Sequence, residues 1–280
     1  MSNFKISDSD IVLCAIEKGE SPYIEEWLKW NLDKVRFDKV YLFNNDGNDE
    51  ISRMPYLEEL QNDGKLHVER YDVSDSPQVG AYKKFYMSYR PSWVMFLDID
   101  EYLCIPFPNI RDYIDSFTNK HRDCVSIGFP WEMYGDSGHI YMPKGNLMDN
   151  FTIPFTKEDA NKRIELKTIL RGGLKDFGMP NPHTTCVEWQ NGTPYYSFGE
   201  PKKNNGSLND DSFSPIIYSG GKIKHFWTKS AEEFVSKVMR GRATIKRRRN
   251  IDEYFNINPR TKDREEAINR FVRECQLPTS

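Results

Sequence analysis

Residues 93–101 constrain the fold more than any other stretch, because five apolar residues are followed there by three carboxylates in four positions. A short apolar run bounded by polar residues is typical of a strand buried on both faces. Side chains alternate along a strand, so Asp98 and Asp100 are predicted to point to one side and Ile99 into the core. Two carboxylates that close repel each other unless a cation lies between them, and Mg²⁺ and Mn²⁺ prefer such oxygen ligands. The stretch therefore predicts a metal-assisted phosphate or diphosphate site.

A strand, a helix and a second strand precede this stretch at short intervals. Residues 11–16 and 39–43 are apolar runs, while Ser21 suits a helix N-cap and Pro22 the first helical turn. Apolar residues recur at helical spacing after Pro22, which gives that helix one buried face. So short a connection between strands predicts a βαβ unit with parallel strands and a right-handed crossover. We therefore expect an α/β fold of Rossmann-like type, with a mostly parallel sheet flanked by helices.

Polar segments follow each predicted strand of this half, at residues 17–20, 44–49, 71–75 and 98–101. In an open parallel sheet, ligands bind beyond the carboxyl ends of the strands. The four segments are therefore predicted to meet at one edge and to form a nucleotide cleft. Asn45 and Asp46 are placed there to hydrogen-bond a base or a ribose, although turn formation explains the sequence Asn-Asn-Asp-Gly equally well.

The second half of the chain is less regular. Between about residues 138 and 220 the sequence is rich in Gly, Pro and Asn, which predicts long functional loops. Regular structure returns where Ser230 and Glu233 form a capping box at the start of a helix. A last helix is predicted after Asp263.

Charge and composition exclude some partners and compartments. The formal net charge of −3 offers no global attraction to nucleic acid. No apolar run is long enough to span a bilayer, and the first residues lack the apolar core of a signal peptide. The five cysteines are scattered, without a Cys-x-x-Cys pair. We therefore expect a cytoplasmic protein with reduced thiols and no nucleic-acid partner.

One strong basic run, made of Lys246, Arg247, Arg248 and Arg249, lies near the C-terminus. Each cation near an anionic lipid surface contributes about 1 kcal/mol to binding, so the run predicts peripheral contact with the inner face of the membrane. A solvated helix face explains the same run equally well.

Several motifs occur in a defined order. They are Lys18-Gly19-Glu20, Glu26-Trp27, Asn45, Asp49, Asp98-Ile99-Asp100-Glu101, Trp131, Gly135, Gly138, Arg163, Lys167, His183, His225-Phe226-Trp227-Thr228-Lys229-Ser230, Phe234, Lys237 and Arg240-Gly241. This order resembles that of GT-A-fold glycosyltransferases of the family 92 type and of bacterial sugar transferases grouped as family 2-like. Asp-x-Asp alone is a weak signal, whereas the ordered series is fairly specific. Gly19 departs from the family pattern, which usually has Asn there, and residues 201–211 fit no part of it.

The resemblance implies a GT-A fold and a role for individual side chains. Asp98, Asp100 and His225 would hold Mn²⁺ or Mg²⁺ that bridges the diphosphate of a nucleotide sugar. The other side chains that would contact the donor are Glu20, Asn45, Asp46, Lys167 and Lys229. Those that would contact the sugar or the acceptor are Trp131, Arg163 and His183. Against these roles, a lone histidine on a strand is often structural, lysines and arginines are often only solvated, and loop aromatics often only pack.

An inverting transfer also needs a carboxylate that deprotonates the acceptor hydroxyl. The candidates in the sequence are Glu132, Asp136, Asp176 and Glu188. We nominate Asp136 as the catalytic base, because it lies in a glycine-flanked loop shortly after Trp131.

These features together predict a metal-dependent glycosyltransferase. It would move a sugar from a nucleotide sugar, most simply a UDP-sugar, to a glycan or lipid-linked glycan acceptor with inversion. Residues 1–242 would form the transferase domain, with a nucleotide-binding half at 1–105 and an acceptor half at 106–242, and residues 243–280 a basic helical extension. The alternatives are a metal-dependent phosphohydrolase or nucleotidyltransferase, and a non-enzymatic module that binds carbohydrate or a membrane surface.

Overall fold

The computed structural model describes residues 4–155, 166–175, 178–181, 184–186, 191–202, 216–240 and 250–276. Its strands are β1 (Ile11–Glu17), β2 (Lys39–Asn44), β3 (Leu66–Arg70), β4 (Trp93–Phe96), β5 (Glu101–Cys104), β6 (Cys124–Met133), β7 (Leu166–Arg171), β8 (Gly178–Asn181), β9 (Thr184–Cys186), β10 (Thr193–Tyr196) and β11 (Lys222–His225). Its α-helices are α1 (Ser21–Lys29), α2 (Pro55–Asn62), α3 (Pro77–Ser88), α4 (Ile110–Lys120), α5 (Leu147–Asn150), α6 (Ala231–Arg240) and α7 (Lys262–Gln276). A π-helical segment, Trp30–Val35, continues α1, and 3₁₀ turns cover Ile51–Arg53 and Ile251–Asn256.

A mostly parallel sheet organises these elements. Its strands lie in the order β3-β2-β1-β4-β7-β6-β11-β5, and β10 also pairs with β6. The strands β3, β2, β1 and β4 are parallel, as are β6 and β11, whereas β7 runs antiparallel to both of its neighbours and β5 antiparallel to β11. The predicted α/β fold with a mostly parallel sheet flanked by helices is confirmed.

Apolar side chains cover both faces of this sheet. Along β1, Leu13 belongs to one apolar cluster and Val12 to the other, and Met95 and Val94 of β4 divide in the same way. Because both faces are buried, each of these strands needs an uninterrupted apolar run. This is why the apolar runs of the sequence mark the central strands.

Residues 98–101 form a turn, called the acidic turn below, and do not continue the strand β4. β4 ends at Phe96, and Glu101 donates its backbone N–H to the carbonyl oxygen of Asp98 at 3.1 Å. The prediction that strand alternation points Asp98 and Asp100 to one side is therefore wrong, because neither residue lies in a strand. Ile99 is 2% exposed, which confirms that its side chain enters the core.

Two predicted helix starts differ in outcome. Ser230 and Glu233 form the predicted capping box: the Ser230 hydroxyl accepts from the Glu233 N–H at 3.3 Å, and the Glu233 carboxylate accepts from the Ser230 N–H at 3.2 Å. At α1, by contrast, Ser21 is the first helical residue and Glu20 occupies the N-cap position, with no side-chain cap bond. The prediction that Ser21 is the N-cap is therefore wrong.

The C-terminal segment, residues 250–276, packs against α6. Phe234, Tyr254, Ile268 and Phe271 belong to one apolar cluster that joins α6, the second 3₁₀ turn and α7. The predicted domain boundary between residues 242 and 243 falls outside the described residues. In the described part of the chain, no helix combines the length and the apolar character that crossing a bilayer requires.

Candidate active site

The acidic turn lies where the strand order of the sheet reverses direction. β1 pairs with β2 on one side and with β4 on the other, so a crevice is expected beyond the carboxyl ends of β1 and β4. The loops after β1 and β2 meet at this edge, because Gly19 donates its N–H to Oδ1 of Asp46 at 2.8 Å. Asn45 donates its backbone N–H to the carbonyl of Glu17 at 3.0 Å. The predicted convergence is thus confirmed for the polar segments that follow β1 and β2.

Asp100 is a buried carboxylate with a lysine against it. Its side chain lies 2.6 Å from Nζ of Lys237, measured at Oδ2, and 3.6 Å from Nε2 of His225, measured at Oδ1. Burial opposes the ionisation of Asp100, but the nearby cations, Lys237 first among them, outweigh burial and hold its pKa below the usual range. The carboxylate is therefore ionised and available as a ligand or a hydrogen-bond acceptor.

His225 is placed beside Asp100 by the pairing of two strands. In the antiparallel register of β11 and β5, His225 lies opposite Glu101, the last residue of the acidic turn. Burial lowers the pKa of His225 to about 3, so the imidazole is neutral at physiological pH. Its Nδ1 is buried and has no hydrogen-bond partner, and Oε1 of Glu101 is in the same state.

The side chain of Asp98 contacts different residues from that of Asp100. It accepts hydrogen bonds from the Gln78 amide and from Lys167, whose Nζ lies 3.1 Å from Oδ2. Lys167 also contacts Oε2 of Glu101 at 3.2 Å, and its side chain is 0% exposed. Burial alone would lower the pKa of Lys167, but Asp98 and Glu101 outweigh it and raise that pKa. The ammonium therefore stays charged and joins the two ends of the turn.

Asp100 and His225 form a donor pair that fits a divalent cation. Metal–ligand bonds of about 2.1 Å place two ligands of one ion roughly 3 to 4 Å apart, and the 3.6 Å separation lies within that range. Within the described residues, no three His, Cys, Asp or Glu side chains lie close enough to hold an ion by themselves. Asp98 is engaged by Lys167 instead, so the predicted set of Asp98, Asp100 and His225 stays a prediction. The ligands that the pair lacks would be water and phosphate oxygens.

Glu20 connects α6 to the loop that follows β1. Its carboxylate accepts from Lys229 at Oε2 and from Arg240 at Oε1, the latter at 2.7 Å. Arg240 also donates to the carbonyl of Gly19 at 2.9 Å. Burial opposes the ionisation of Glu20, but Lys229 and then Arg240 outweigh it and lower its pKa. The three side chains form a partly buried charge cluster in which Lys229 is the buried member.

A cavity of about 210 Å³ opens beside this cluster. Its lining includes the three cations Lys229, Lys237 and Arg240, the three carboxylates Glu20, Glu232 and Glu233, and the ring of Tyr23. Lys237 also contacts Asp100, which joins the cavity to the acidic turn. An anion can bind these cations by displacing the carboxylates of Glu20 and Asp100 that now pair with them.

Of the other residues predicted to contact the donor or the acceptor, Asn45 and Trp131 lie within the described part of the chain. The Asn45 amide donates to the carbonyl of Val73 at 3.0 Å, which ties the loops after β2 and β3 together. The Trp131 ring contacts the His225 ring edge to face, with centroids 4.2 Å apart. Arg163 and His183 lie outside the described residues, as do the candidate bases Asp176 and Glu188 and the basic run of Lys246, Arg247, Arg248 and Arg249.

Asp136, the predicted base, is held by the C-terminal segment. Both of its oxygens accept hydrogen bonds from Arg264, at 2.6 and 2.9 Å, and Oδ2 also accepts from the Tyr254 hydroxyl. Burial opposes the ionisation of Asp136, but the hydrogen bonds from Arg264 and Tyr254 lower its pKa. A general base works best with a pKa near the working pH, so these contacts suit a structural role better. The assignment of Asp136 as the base stays a prediction.

Lys237 is a site residue to which the sequence reasoning gave no role. The sequence of α6, the helix that follows the Ser230 capping box, contains a pattern that could have identified Lys237. Glu233, Lys237 and Arg240 follow at i, i+4 and i+7, so they share one helix face, and that face turns out to line the cavity.

Comparisons with known proteins give only low similarity. No protein-family model matches the chain and no curated protein matches it, so the resemblance to family 92 is not confirmed. Residues 1–349 of TarS from S. aureus match 94% of this chain and 70% of that chain, with 14% sequence identity and a TM-score of 0.40. The same part of TarS in complex with UDP-GlcNAc has 15% identity and a TM-score of 0.39, with 94% and 71% of the two chains covered.

A second kind of structure also matches. The mannosyltransferase PcManGT from Pyrobaculum calidifontis, in complex with GDP-Man and Mn²⁺, matches 45% of this chain and 38% of that chain, with 13% identity and a TM-score of 0.34. Scores this low establish neither a shared fold nor a shared function, so function is argued below from the side chains of the site.

Proposed function

We propose that this protein is a glycosyltransferase that moves a sugar from a nucleotide-sugar donor, a UDP-sugar, to a hydroxyl of a glycan or lipid-linked glycan. One observation carries the proposal: the ion pair between the buried Asp100 and Lys237 joins the acidic turn to a cavity that three cationic side chains line together with three carboxylates, at the point where the strand order of the sheet reverses. A nucleoside diphosphate is the ligand that needs both kinds of charge, because its phosphates bind cationic side chains and a divalent ion together.

Side-chain cations would hold the diphosphate. Lys229, Lys237 and Arg240 line the cavity, and their ammonium and guanidinium groups would donate to phosphate oxygens in place of the Glu20 and Asp100 carboxylates. The carboxyl ends of β1 and β2, with Asn45 and Asp46, would receive the base or ribose.

Asp100 and His225 would hold a divalent cation, Mn²⁺ or Mg²⁺. When bound, such an ion neutralises the charge that develops on the departing diphosphate. The neutral state of His225 suits this role, because an imidazole binds a metal through an unprotonated ring nitrogen. Asp98 and Lys167 support the turn that carries Asp100, since their ion pair fixes its first residue.

Transfer with inversion requires a base on the acceptor side. Asp136 and Glu132 are the two candidates for this base among the described residues. Glu132 accepts a hydrogen bond from the Tyr134 hydroxyl and pairs with Lys222 at 2.7 Å. Either carboxylate would take the proton from the acceptor hydroxyl as that oxygen attacks the sugar.

A thermal-shift screen with UDP, GDP and their sugars, with and without Mn²⁺, tests the proposal. A ligand at 100 times its dissociation constant stabilises the protein by about 2.7 kcal/mol, which is a measurable rise in melting temperature. Asp100→Asn should remove the Mn²⁺-dependent part of the shift. Asp115→Asn, which changes an exposed carboxylate on α4, is the matched control and should retain it. If no nucleotide shifts the wild-type protein, or if both variants respond alike, the proposal fails.

Product analysis separates the proposal from its alternatives. The protein is incubated with Mn²⁺, a UDP-sugar and a mixture of glycan acceptors, and the products are identified by mass spectrometry. A transferase gives UDP and a glycosylated acceptor in equal amounts. Release of UMP and sugar 1-phosphate without acceptor modification would instead indicate a phosphohydrolase. Transfer of the uridylyl group to an acceptor, with release of sugar 1-phosphate, would indicate a nucleotidyltransferase, and binding without turnover would indicate a non-enzymatic module.

A further inference from the structure

Asn258 lies at a junction between the C-terminal segment and the candidate site. Its side chain is buried, and Oδ1 accepts the backbone N–H of Asp136 at 2.6 Å. Its Nδ2 donates to the Thr228 hydroxyl and to the Tyr254 carbonyl, each at 3.1 Å. One amide therefore joins the loop after β6, the loop after β11 and the C-terminal segment.

The partners of Asn258 are themselves fixed. Arg264 holds the Asp136 carboxylate through two parallel hydrogen bonds, the geometry that orders such a pair best. Gly138 donates its N–H to the same carboxylate at 2.9 Å. A Cβ atom at Gly135 would lie 2.6 Å from Oδ1 of Asn258, so the loop approaches Asn258 as closely as it does only because residue 135 is glycine.

Thr228, the acceptor of this bond, precedes a residue with unusual backbone geometry. Lys229 has a φ angle of +54°, in the left-handed region that side chains other than glycine seldom occupy. Such a conformation persists only where the surrounding structure imposes it. Here it directs the Lys229 ammonium onto the Glu20 carboxylate and to 4.5 Å above the centre of the Tyr23 ring, at the wall of the cavity.

We propose that Asn258 is a positioning residue for Lys229. By fixing the Thr228 hydroxyl, it holds the left-handed backbone of Lys229 and so places the ammonium where the diphosphate of the donor binds. The C-terminal segment then positions a side chain of the site, in addition to packing against α6. The binding role of Lys229 rests on the proposed function, whereas its placement by Asn258 does not.

Chemical labelling of lysines tests the placement directly. The full-length protein is treated with an acetylating reagent, and the labelling rate of Lys229 is read by mass spectrometry, with the 85% exposed Lys262 as internal reference. Asn258→Ala removes the donor, and Thr228→Val removes the acceptor while keeping the side-chain shape. Each should raise the rate at Lys229 about fivefold, because the loop opens more often.

Two variants serve as controls. Thr228→Ser keeps the hydroxyl and should restore the wild-type rate. Arg260→Ala removes exposed ion pairs of the same segment, with Asp252 and Glu265, without touching Asn258, and should leave the rate unchanged. If Asn258→Ala does not fold, Thr228→Val carries the test alone. An unchanged Lys229 rate in the folded variants overturns the proposal.

Calorimetric titration with UDP and Mn²⁺, well below the melting temperature, separates positioning from stability. Asn258→Ala and Thr228→Val should weaken UDP binding about tenfold, the equivalent of ~1.4 kcal/mol, while Arg260→Ala binds like the wild type. If labelling rises but UDP affinity does not change, the placement of Lys229 by Asn258 stands and the binding role of Lys229 is overturned. If the wild-type protein binds no nucleotide and labelling still rises as expected, the proposed function fails and the placement of Lys229 by Asn258 stands.

Discussion

Nζ of Lys237 lies 2.6 Å from Oδ2 of Asp100, so a lysine ammonium contacts the carboxylate that would bind a divalent cation. The two cations compete for one buried carboxylate. We expect Lys237→Met to bind Mn²⁺ more tightly than the wild type in the absence of nucleotide, by about tenfold or ~1.4 kcal/mol. Titration followed by electron paramagnetic resonance measures the free Mn²⁺.

The matched control for this prediction is Lys222→Met, a change on β11 that breaks the ion pair with Glu132. It should leave the affinity for Mn²⁺ unchanged. With UDP present the effect of Lys237→Met should reverse, because the diphosphate loses a cation. Weaker or unchanged Mn²⁺ binding by Lys237→Met without nucleotide would remove Asp100 from the set of metal ligands.

Lys167 is expected to be essential for stability, because its ammonium is fully buried between Asp98 and Glu101. Lys167→Met leaves both Asp98 and the buried Glu101, whose pKa burial raises well above its ordinary value, without their shared cation. Breaking such a pair costs about 3–5 kcal/mol of the free energy of unfolding, which urea denaturation measures. The double variant with Glu101→Gln should recover most of the loss. If the two substitutions add without recovery, the pair is not coupled as described.

Glu17 should make stability depend on pH. Its side chain is 1% exposed, and burial, with Asp46 next in importance, raises its pKa to about 8 from an ordinary value of 4.5. The folded protein therefore binds a proton between these values that the unfolded chain releases. The contribution of Glu17 to stability is fully present below about pH 4.5 and falls as pH rises toward 8, by at most about 1.4 kcal/mol per pH unit.

Glu17→Gln isolates this contribution, because an amide resembles the protonated carboxyl and does not titrate. The variant and the wild type should have similar unfolding free energies at pH 5, and the variant should be the more stable of the two at pH 8. Denaturant unfolding at pH 5, 6.5 and 8 measures the difference. Parallel pH profiles for the two proteins would contradict the raised pKa.

Asp136→Asn and Arg264→Met separate a structural role of Asp136 from a catalytic one. Each breaks the same buried ion pair, so we expect each to lower the unfolding free energy by roughly 3 kcal/mol while UDP binding persists at low temperature. Melting curves and transfer rates at a temperature where both variants are folded provide the comparison. Similar transfer rates in the two variants indicate a structural carboxylate. A loss of transfer confined to Asp136→Asn would support its predicted role as the base.

The sequence predicted those parts of the fold that local patterns encode. β1, β2 and β4 are buried on both faces, so their apolar runs are unbroken and could be read directly. The capping box of Ser230 and Glu233 could also be predicted from the sequence, because its two hydrogen bonds join residues three positions apart. The convergence of the polar segments after β1 and β2 could also be predicted, because parallel strands have their carboxyl ends at the same edge of the sheet.

Other features depend on contacts between distant parts of the chain. Ser21 matches a preferred N-cap residue, but Glu20 takes that position while its own carboxylate accepts from Lys229 and Arg240. β5 has no local signal beyond its short apolar stretch, and it becomes a strand by pairing with β11, more than a hundred residues away. That pairing is what brings His225 beside Asp100.

The sequence by itself determined that this protein has a mostly parallel sheet with an acidic turn at the carboxyl edge of its first strands. Only the tertiary structure decided how that turn is used. Asp98 pairs with Lys167 and Asp100 with Lys237, so two carboxylates that are neighbours in sequence have separate partners. The physical reason is that a buried carboxylate must find a cation, and the cations within reach are set by the packing of β7 and α6 and not by sequence distance.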